Sequence, residues 1–291
     1  MKKQNQKISN IIKTKRIFDK KEYMYQILEN GFSNKDIAIG KKVLNSKRIT
    51  MASHTRNFEA AFAKKLGVKY ALMVNSGSSA NLLATFAAGN PLKKNHLKRG
   101  DEVLIPALCW STSIWPLVQF GLKPIFVDID IKTLNIDIED LKKKITKKTK
   151  AIMLINVLGI SSDLFKIKRI ADKKKIVIIE DNCESLGSRL KGKYLGTFGD
   201  YGSYSFYYSH QITAGEGGMI VCNDKQNYEI IHSLRSHGWD RGLMSNKNNF
   251  NFINSGFNLR PLEISAAIGF NQFKKLNQFK KIRFYNRIKI I

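Results

Sequence analysis

Short apolar runs punctuate this chain: Tyr70–Val74, Val103–Ile105, Ile125–Val127, Ala151–Ile155, Ile176–Ile179 and Met219–Cys222. Runs that are apolar at every position, rather than at alternate ones, predict strands covered on both faces. The stretches between them change period. Phe58, Phe62 and Leu66 fall on one helical face, and Gly67 supplies a stop. Leu82–Ala88, the segment opening at Trp110–Ser113, Leu141–Lys150 and Ile167–Lys174 likewise read as helices. Strand and helix alternating in this way predict an α/β fold with a mainly parallel, doubly wound sheet. Residues 1–48 read as an N-terminal arm with an amphipathic helix at Glu22–Leu28, and 49–276 as the large domain. Lys247–Asn249 reads as a surface loop, Ile264–Phe273 as an apolar helix, and 277–291 as a basic helix opening a further domain.

The polar turns that follow the apolar runs carry the candidate chemistry, because open α/β sheets bind ligands beyond the carboxyl ends of their strands. After the first run comes Asn75-Ser76-Gly77-Ser78-Ser79-Ala80-Asn81 and then a helix. Free amides and the helix dipole would point at one spot there, which makes an anion cradle. Without a ligand the same residues are a serine-rich helix cap. The Ile176–Ile179 run ends in Glu180-Asp181-Asn182, with Glu184 close behind. A polar, glycine-rich loop, Ser205 to Gly218, holds Ser205 and His210 and leads into the last apolar run. Trp110 is either a ring that stacks on a flat ligand or a core tryptophan.

In order, Glu180-Asp181, Gly196-Thr197-Phe198-Gly199-Asp200, Ser205-Phe206-Tyr207 and Gly215-Glu216-Gly217-Gly218 resemble the DegT/DnrJ/EryC1/StrS nucleotide-sugar aminotransferases, a fold-type-I pyridoxal-phosphate family. The resemblance spans about residues 50–288. It implies pyridoxal 5'-phosphate or pyridoxamine 5'-phosphate as cofactor, with Ser78, Ser79 and Ser205 at its phosphate, Trp110 on its ring and Asp181 at the pyridine nitrogen. Glu184 would lie near the ring hydroxyl, where the family more often has glutamine. Asn258, in the stretch Gly256–Glu263, would approach the phosphate of a partner subunit, so a homodimer is implied. The chain stops where the family adds a smaller C-terminal domain, and the expectation is a truncated product with an open substrate cleft.

One departure changes the chemistry expected. The family normally has a lysine where this chain has His210, and only an amine can hold the cofactor as a Schiff base. Histidine at this position resembles the sugar 3-dehydratase branch, which removes the C3 hydroxyl of GDP-4-keto-6-deoxymannose or CDP-4-keto-6-deoxyglucose. The resemblance therefore implies a dehydratase of a nucleotide-linked 4-keto-6-deoxyhexose in lipopolysaccharide or capsule deoxysugar synthesis, with His210 and Asp181 catalytic and glutamate a possible amino donor. The alternatives are an aminotransferase that works without lysine and a truncated, inactive scaffold.

Composition adjusts this picture only slightly. In 291 residues, 50 Lys and Arg against 23 Asp and Glu give a formal charge of +27. The basic residues are spread along the whole length, which reads as surface bias rather than a nucleic-acid site, and the field favours an anionic substrate. Cys109, Cys183 and Cys222 lie far apart, with no metal-ligand spacing and one thiolate too few for an iron–sulfur cluster. The basic start is followed by no apolar stretch of signal-peptide length, and no run of about 20 apolar residues reads as a membrane helix, so a cytoplasmic enzyme is expected.

Overall fold

The apolar runs pair into one seven-stranded sheet. The computed structural model describes residues 31–241 and 250–290; the helix expected at Glu22–Leu28 and the loop at Lys247–Asn249 lie outside them. In chain order the described elements begin with α1 (Asn34–Asn45), α2 (Ser53–Leu66), β1 (Tyr70–Val74), α3 (Gly77–Ala88), β2 (Glu102–Pro106), α4 (Ser111–Phe120) and β3 (Lys123–Val127). A small ribbon, β4 (Ile129–Asp130) and β5 (Asn135–Ile136), leads to α5 (Ile138–Lys144), β6 (Thr149–Ile155), α6 (Leu164–Lys174) and β7 (Val177–Asp181). A second ribbon, β8 (Arg189–Leu190) and β9 (Lys193–Tyr194), precedes β10 (Tyr201–Ser205), β11 (Gly218–Cys222), α7 (Lys225–Arg235), α8 (Glu263–Lys274) and α9 (Leu276–Ile290).

The strand order is β1-β11-β10-β7-β6-β2-β3. Only β11 runs against its neighbours; the other pairings are parallel. Six strands therefore present their carboxyl ends along one edge, and Asn75, Asn156, Asp181 and Ser205 sit at or just past those ends. The reversed β11 starts at the same edge, with Gly218 opposite both Val74 and Ser205.

Both faces of the sheet are covered, as the unbroken apolar runs require. On one side Leu72, Val74 and Ile105 pack against Leu83, Ala84 and Ala87 of α3 and Leu234 of α7. On the other an aromatic cluster forms, in which Phe62 stacks on Phe273 at 5.0 Å between centroids and meets Tyr204 edge-on at 5.1 Å. α2 follows its expected face, with Phe58, Phe62 and Leu66 buried, and ends at Gly67 in the left-handed conformation at φ 71°, which a glycine adopts without a Cβ penalty.

Distant side chains fix the helix ends. Ala52 cannot cap α2 with its side chain, and Glu263 takes its place: its carboxylate accepts from the amides of Ala52, His54 and Thr55 and from the Thr55 hydroxyl. α1 opens on a capping box of Ser33 and Asp36, and Asp36 also accepts from Asn271 and Lys275 at the end of α8. Burial acts to raise the Asp36 pKa, but Ser33, Asn271 and Lys275 together bring it down to about 2.

Two helices differ from expectation at their ends: the one expected over Ile167–Lys174 starts at Leu164, where Asp163 caps it. The helix expected over Leu141–Lys150 starts earlier, at Ile138, because the Asp137 side chain caps the Asp140 amide, and it stops at Lys144. The remaining charged residues turn: Thr149 Oγ1 accepts from the Thr146 amide, the Lys148 carbonyl takes the Glu102 amide, and Thr149 enters β6. A lysine run has no intrinsic stop signal, so only the sheet shows where the helix ends. No helix among the described residues is long and apolar enough to cross a membrane.

Candidate active site

At the mouth of α3 the sequence leaves amides for an anion. Ser76, in extended conformation, caps the helix by accepting from the Ser79 amide at 3.0 Å, and its carbonyl takes the Ala80 amide. None of the described residues accepts from the amides of Gly77 and Ser78, the two first-turn donors that a helix cannot satisfy internally. The Ser78 hydroxyl donates to Thr112 Oγ1 at 2.9 Å, which joins the starts of α3 and α4. The approach is tight: a Cβ on Gly77 would lie 2.5 Å from Ser205 Cβ and 2.7 Å from Cys183 Sγ, and one on Gly218 would lie 2.3 Å from the Ser76 carbonyl. Glycine at 77 and 218 is what lets Ser78, Ser79 and Ser205 share one small region. Ser205 itself is buried, and its Oγ accepts from the Tyr207 amide.

Asp181 ends β7 as a buried carboxylate with a full set of donors. Its Oδ2 accepts from Asn81 Nδ2 and from Ser113 Oγ, each at 2.7 Å, and its Oδ1 accepts from the Cys183 amide at 3.0 Å. Asn81 is held in turn by Ser203, whose hydroxyl donates to Asn81 Oδ1. Beside the carboxylate, burial and the Asp181 charge push the Cys183 thiol well above its ordinary range, which keeps it a protonated thiol and not a nucleophile.

Its neighbour Glu180 points to the opposite face of the strand and does a different job. It is fully buried and accepts from the amides of Gly196, Phe198 and Gly199. Burial raises its pKa against those backbone bonds. Glu180 thus pins the Gly196–Gly199 turn beneath the sheet edge. Asn182 continues the web, accepting from Asn156 Nδ2 at 2.6 Å. Glu184 is exposed, and its Oε2 accepts from the amide of Leu158 at 3.1 Å. Leu158 is a non-glycine residue at φ 52° in the turn after β6.

His210 lies half-buried in the turn after β10. Its amide donates to the Tyr207 carbonyl, and the Tyr207 ring meets the imidazole edge-on at 5.9 Å. The next residue, Gln211, donates through its side chain to the Glu184 carbonyl, so the histidine loop and the loop after β7 are tied together. Burial lowers the His210 pKa below that of ordinary imidazole; Glu184 and Asp181 act to raise it, and Arg283 to lower it further. The ring is therefore neutral at pH 7.

Trp110 immediately precedes α4 and is 75% exposed. It lies three residues before Ser113, which touches Asp181. Asn258 is placed beside the cradle rather than in it: the neighbouring Leu259 carbonyl accepts from the Asn75 amide at the end of β1, while the Asn258 side chain accepts from Arg260. The structure thus gathers Ser78, Ser79, Ser205, Asp181, Glu184 and His210 along one edge of the sheet, with Trp110 and Asn258 flanking it. Asn81, Thr112, Ser113 and Ser203 complete the site and were not singled out by sequence reasoning. For Asn81 a signal existed, since it stands one turn after Gly77 on a helix that otherwise buries small and apolar residues.

Known proteins share this fold and much of this sequence. The DegT/DnrJ/EryC1/StrS aminotransferase family matches residues 32–287. A GDP-4-keto-6-deoxy-D-mannose 3-dehydratase of Escherichia coli O55:H7 is 45% identical over 264 residues, which cover 87% of this chain and 68% of that protein. A mutant GDP-4-keto-6-deoxymannose-3-dehydratase with bound GDP-perosamine superposes with a TM-score of 0.87 at 43% identity, over 90% of this chain and 71% of that one. An E. coli GDP-4-keto-6-deoxy-D-mannose-3-dehydratase with bound hydrated pyridoxal phosphate gives a TM-score of 0.86 at 43% identity, over 90% of this chain and 70% of that one. With its fold, its strand-edge site and this match over most of its length, the chain belongs to the DegT/DnrJ/EryC1/StrS aminotransferase family.

Proposed function

We propose that this protein is a pyridoxal-phosphate-dependent 3-dehydratase that removes the C3 hydroxyl of a nucleoside-diphosphate-linked 4-keto-6-deoxyhexose. The observation that carries this reading is His210. No lysine occurs between Ser205 and Gly218, so the loop offers the cofactor a base and not an imine-forming amine. The proteins named as GDP-4-keto-6-deoxymannose 3-dehydratases, similar to this chain over most of its length, support it.

The residues fit the cofactor. The two unclaimed amides at the mouth of α3 suit a phosphate, with the hydroxyls of Ser79 and Ser205 as further donors, and that of Ser78 once it turns away from Thr112 Oγ1. The Asp181 carboxylate, held by Asn81 and Ser113, suits a protonated pyridine nitrogen, and the exposed Trp110 ring suits a flat partner. When bound, the cofactor supplies an amine for the sugar's C4 ketone and a ring that takes up electrons.

The chain's own residues do the rest. Asp181, oriented by Asn81, Ser113 and the Cys183 amide, would set its carboxylate against the ring nitrogen. The neutral His210 imidazole accepts a proton on a ring nitrogen and, once charged, donates it to the departing C3 oxygen, which leaves as water. Burial of the ring serves both steps, since it keeps the base free of a proton at pH 7 and makes the imidazolium a good donor. The substrate's diphosphate meets a protein of formal charge +27.

We also propose that the working form is a cytoplasmic homodimer. Exposed Trp115 and Val118 on α4 and Phe126 on β3 offer apolar surface to a second copy, and sedimentation of the purified protein tests it. Glutamate labelled with heavy nitrogen tests the reaction class. A dehydratase yields a deoxygenated keto sugar free of the label, whereas label in the sugar as an amine would establish an aminotransferase instead.

A further inference from the structure

The final helix, α9, touches the two loops that build the site. Lys280 Nζ donates to the Gly187 carbonyl at 2.8 Å. One turn further on, Arg283 Nη2 donates to the carbonyl of His210 itself at 3.5 Å. The two cations lie on one face of the helix, three residues apart, where side chains point the same way. The contact at Gly187 is a close one: that residue sits at φ 92°, and a Cβ there would lie 3.0 Å from Lys280 Cδ and 3.7 Å from Leu276 Cδ1. Gln211 closes the circuit by donating to the Glu184 carbonyl. The path runs from α9 through Gly187 to Glu184, across Gln211 to His210, and back through Arg283 to α9.

Resting on the dehydratase reading, we propose that Arg283 is a positioning residue for the reaction: with Lys280, it locks the His210 loop against the Glu184–Gly187 loop and so sets where the imidazole stands. Within the loop the His210 amide is satisfied by Tyr207, and the Gln211 side chain ties the next residue to the Glu184 carbonyl, which leaves the carbonyl side of His210 to be held from outside. A tilt on the order of 1 Å costs about a hundredfold in rate when a proton must move between fixed partners. Arg283 also adds a positive charge to the two carboxylates, Glu184 and Asp181, that face the ring, and opposes their effect on it. An arginine serves better than a lysine would at 3.5 Å, because its fork reaches the carbonyl while its charge stays near the ring.

The test compares the full chain with Arg283→Gln, Arg283→Lys and Lys280→Met. NMR titration of the His210 ring is read in parallel with steady-state kinetics on a GDP-linked 4-keto-6-deoxyhexose. Arg283→Gln is expected to lower kcat about tenfold with less than about a twofold change in KM, and to move the His210 midpoint upward; Arg283→Lys, which keeps the charge without the fork, is expected to bring the midpoint back toward the parent and to restore only part of kcat. Lys280→Met is expected to lower kcat in the same sense and leave the midpoint nearer that of the parent. An unmoved midpoint and unchanged kcat in Arg283→Gln would overturn the proposal, as would loss of thermal stability equal to that of Lys280→Met without any change at the ring. The titration needs no turnover, so a parent protein that fails to deoxygenate the sugar refutes the dehydratase reading while the midpoint still decides the role of Arg283.

Discussion

Asn81 and Asp181, a hundred residues apart in sequence, meet through a 2.7 Å hydrogen bond at the carboxyl edge of the sheet. The amide of one fixes the carboxylate of the other, and Ser203 fixes the amide. The acid at the centre of the site is thus oriented before any ligand arrives, which is the condition for a charge to act without reorganising.

Two substitutions separate holding from chemistry at this pair. Asn81→Ala removes one donor from a buried carboxylate and is expected to destabilise the fold by about 1–3 kcal/mol, read by urea unfolding. Asp181→Asn keeps the shape and removes the charge. It is expected to lower kcat by about a hundredfold or more while cofactor affinity, followed by fluorescence titration, falls less. Equal, small effects on both quantities would mark Asp181 as structural.

At the phosphate end, Ser205→Ala is expected to weaken cofactor binding by about 1–3 kcal/mol, because a charged acceptor loses a donor. Equilibrium dialysis against pyridoxal phosphate measures it. An unchanged affinity would remove Ser205 from the cradle.

His210 gives the reaction a defined pH dependence. Its pKa is lowered by burial, and the base must be neutral to act. As pH falls through that lowered value the base is lost, so kcat/KM is expected to hold through neutrality and decline only below the ordinary imidazole range. In His210→Gln the residual rate should lack this acid limb.

A second histidine governs stability instead. His232 on α7 is partly buried, and burial together with Arg235 lowers its pKa to about 4. The unfolded chain binds a proton near pH 6.5 and the folded one does not, so stability rises with pH between these values and is lost as pH falls from 6.5 toward 4. The full span corresponds to roughly 3 kcal/mol. Urea unfolding at pH 5 and pH 7 should show the difference, and His232→Gln should shrink it.

Much of this architecture is legible in the chain because local rules and tertiary needs agree. The runs at Tyr70–Val74 and Val177–Ile179 are apolar at every position because both faces of the sheet are covered, and the helix from Ser53 stops at Gly67 because only there does the backbone turn left-handed at no cost. What stays hidden depends on partners far away in sequence. Glu263 caps α2 across more than two hundred positions, and no pattern near Ala52 announces it. Glu180 and Asp181 read as one acidic pair, yet successive residues of a strand face opposite ways: one pins the Gly196–Gly199 turn and the other faces the site. The reversal of β11 is equally invisible in Gly218–Cys222, since an apolar run carries no direction.

The absence of a loop lysine makes a covalent prediction. Borohydride treatment of the cofactor-loaded protein is expected to leave no cofactor attached to the peptide spanning residues 205–218. A stable adduct there would contradict the role given to His210.

The mass of the sugar product, compared between the parent protein and His210→Lys, tests the central claim most directly. With pyridoxal phosphate, glutamate and a GDP-linked 4-keto-6-deoxyhexose, the parent is expected to give a keto sugar lacking the C3 oxygen. The lysine variant restores the amine that the family normally carries at this position, and is expected to bind the cofactor covalently and to lose most of the deoxygenated product. A lysine variant that deoxygenates as well as the parent, or a parent that retains the C3 oxygen, would contradict the account.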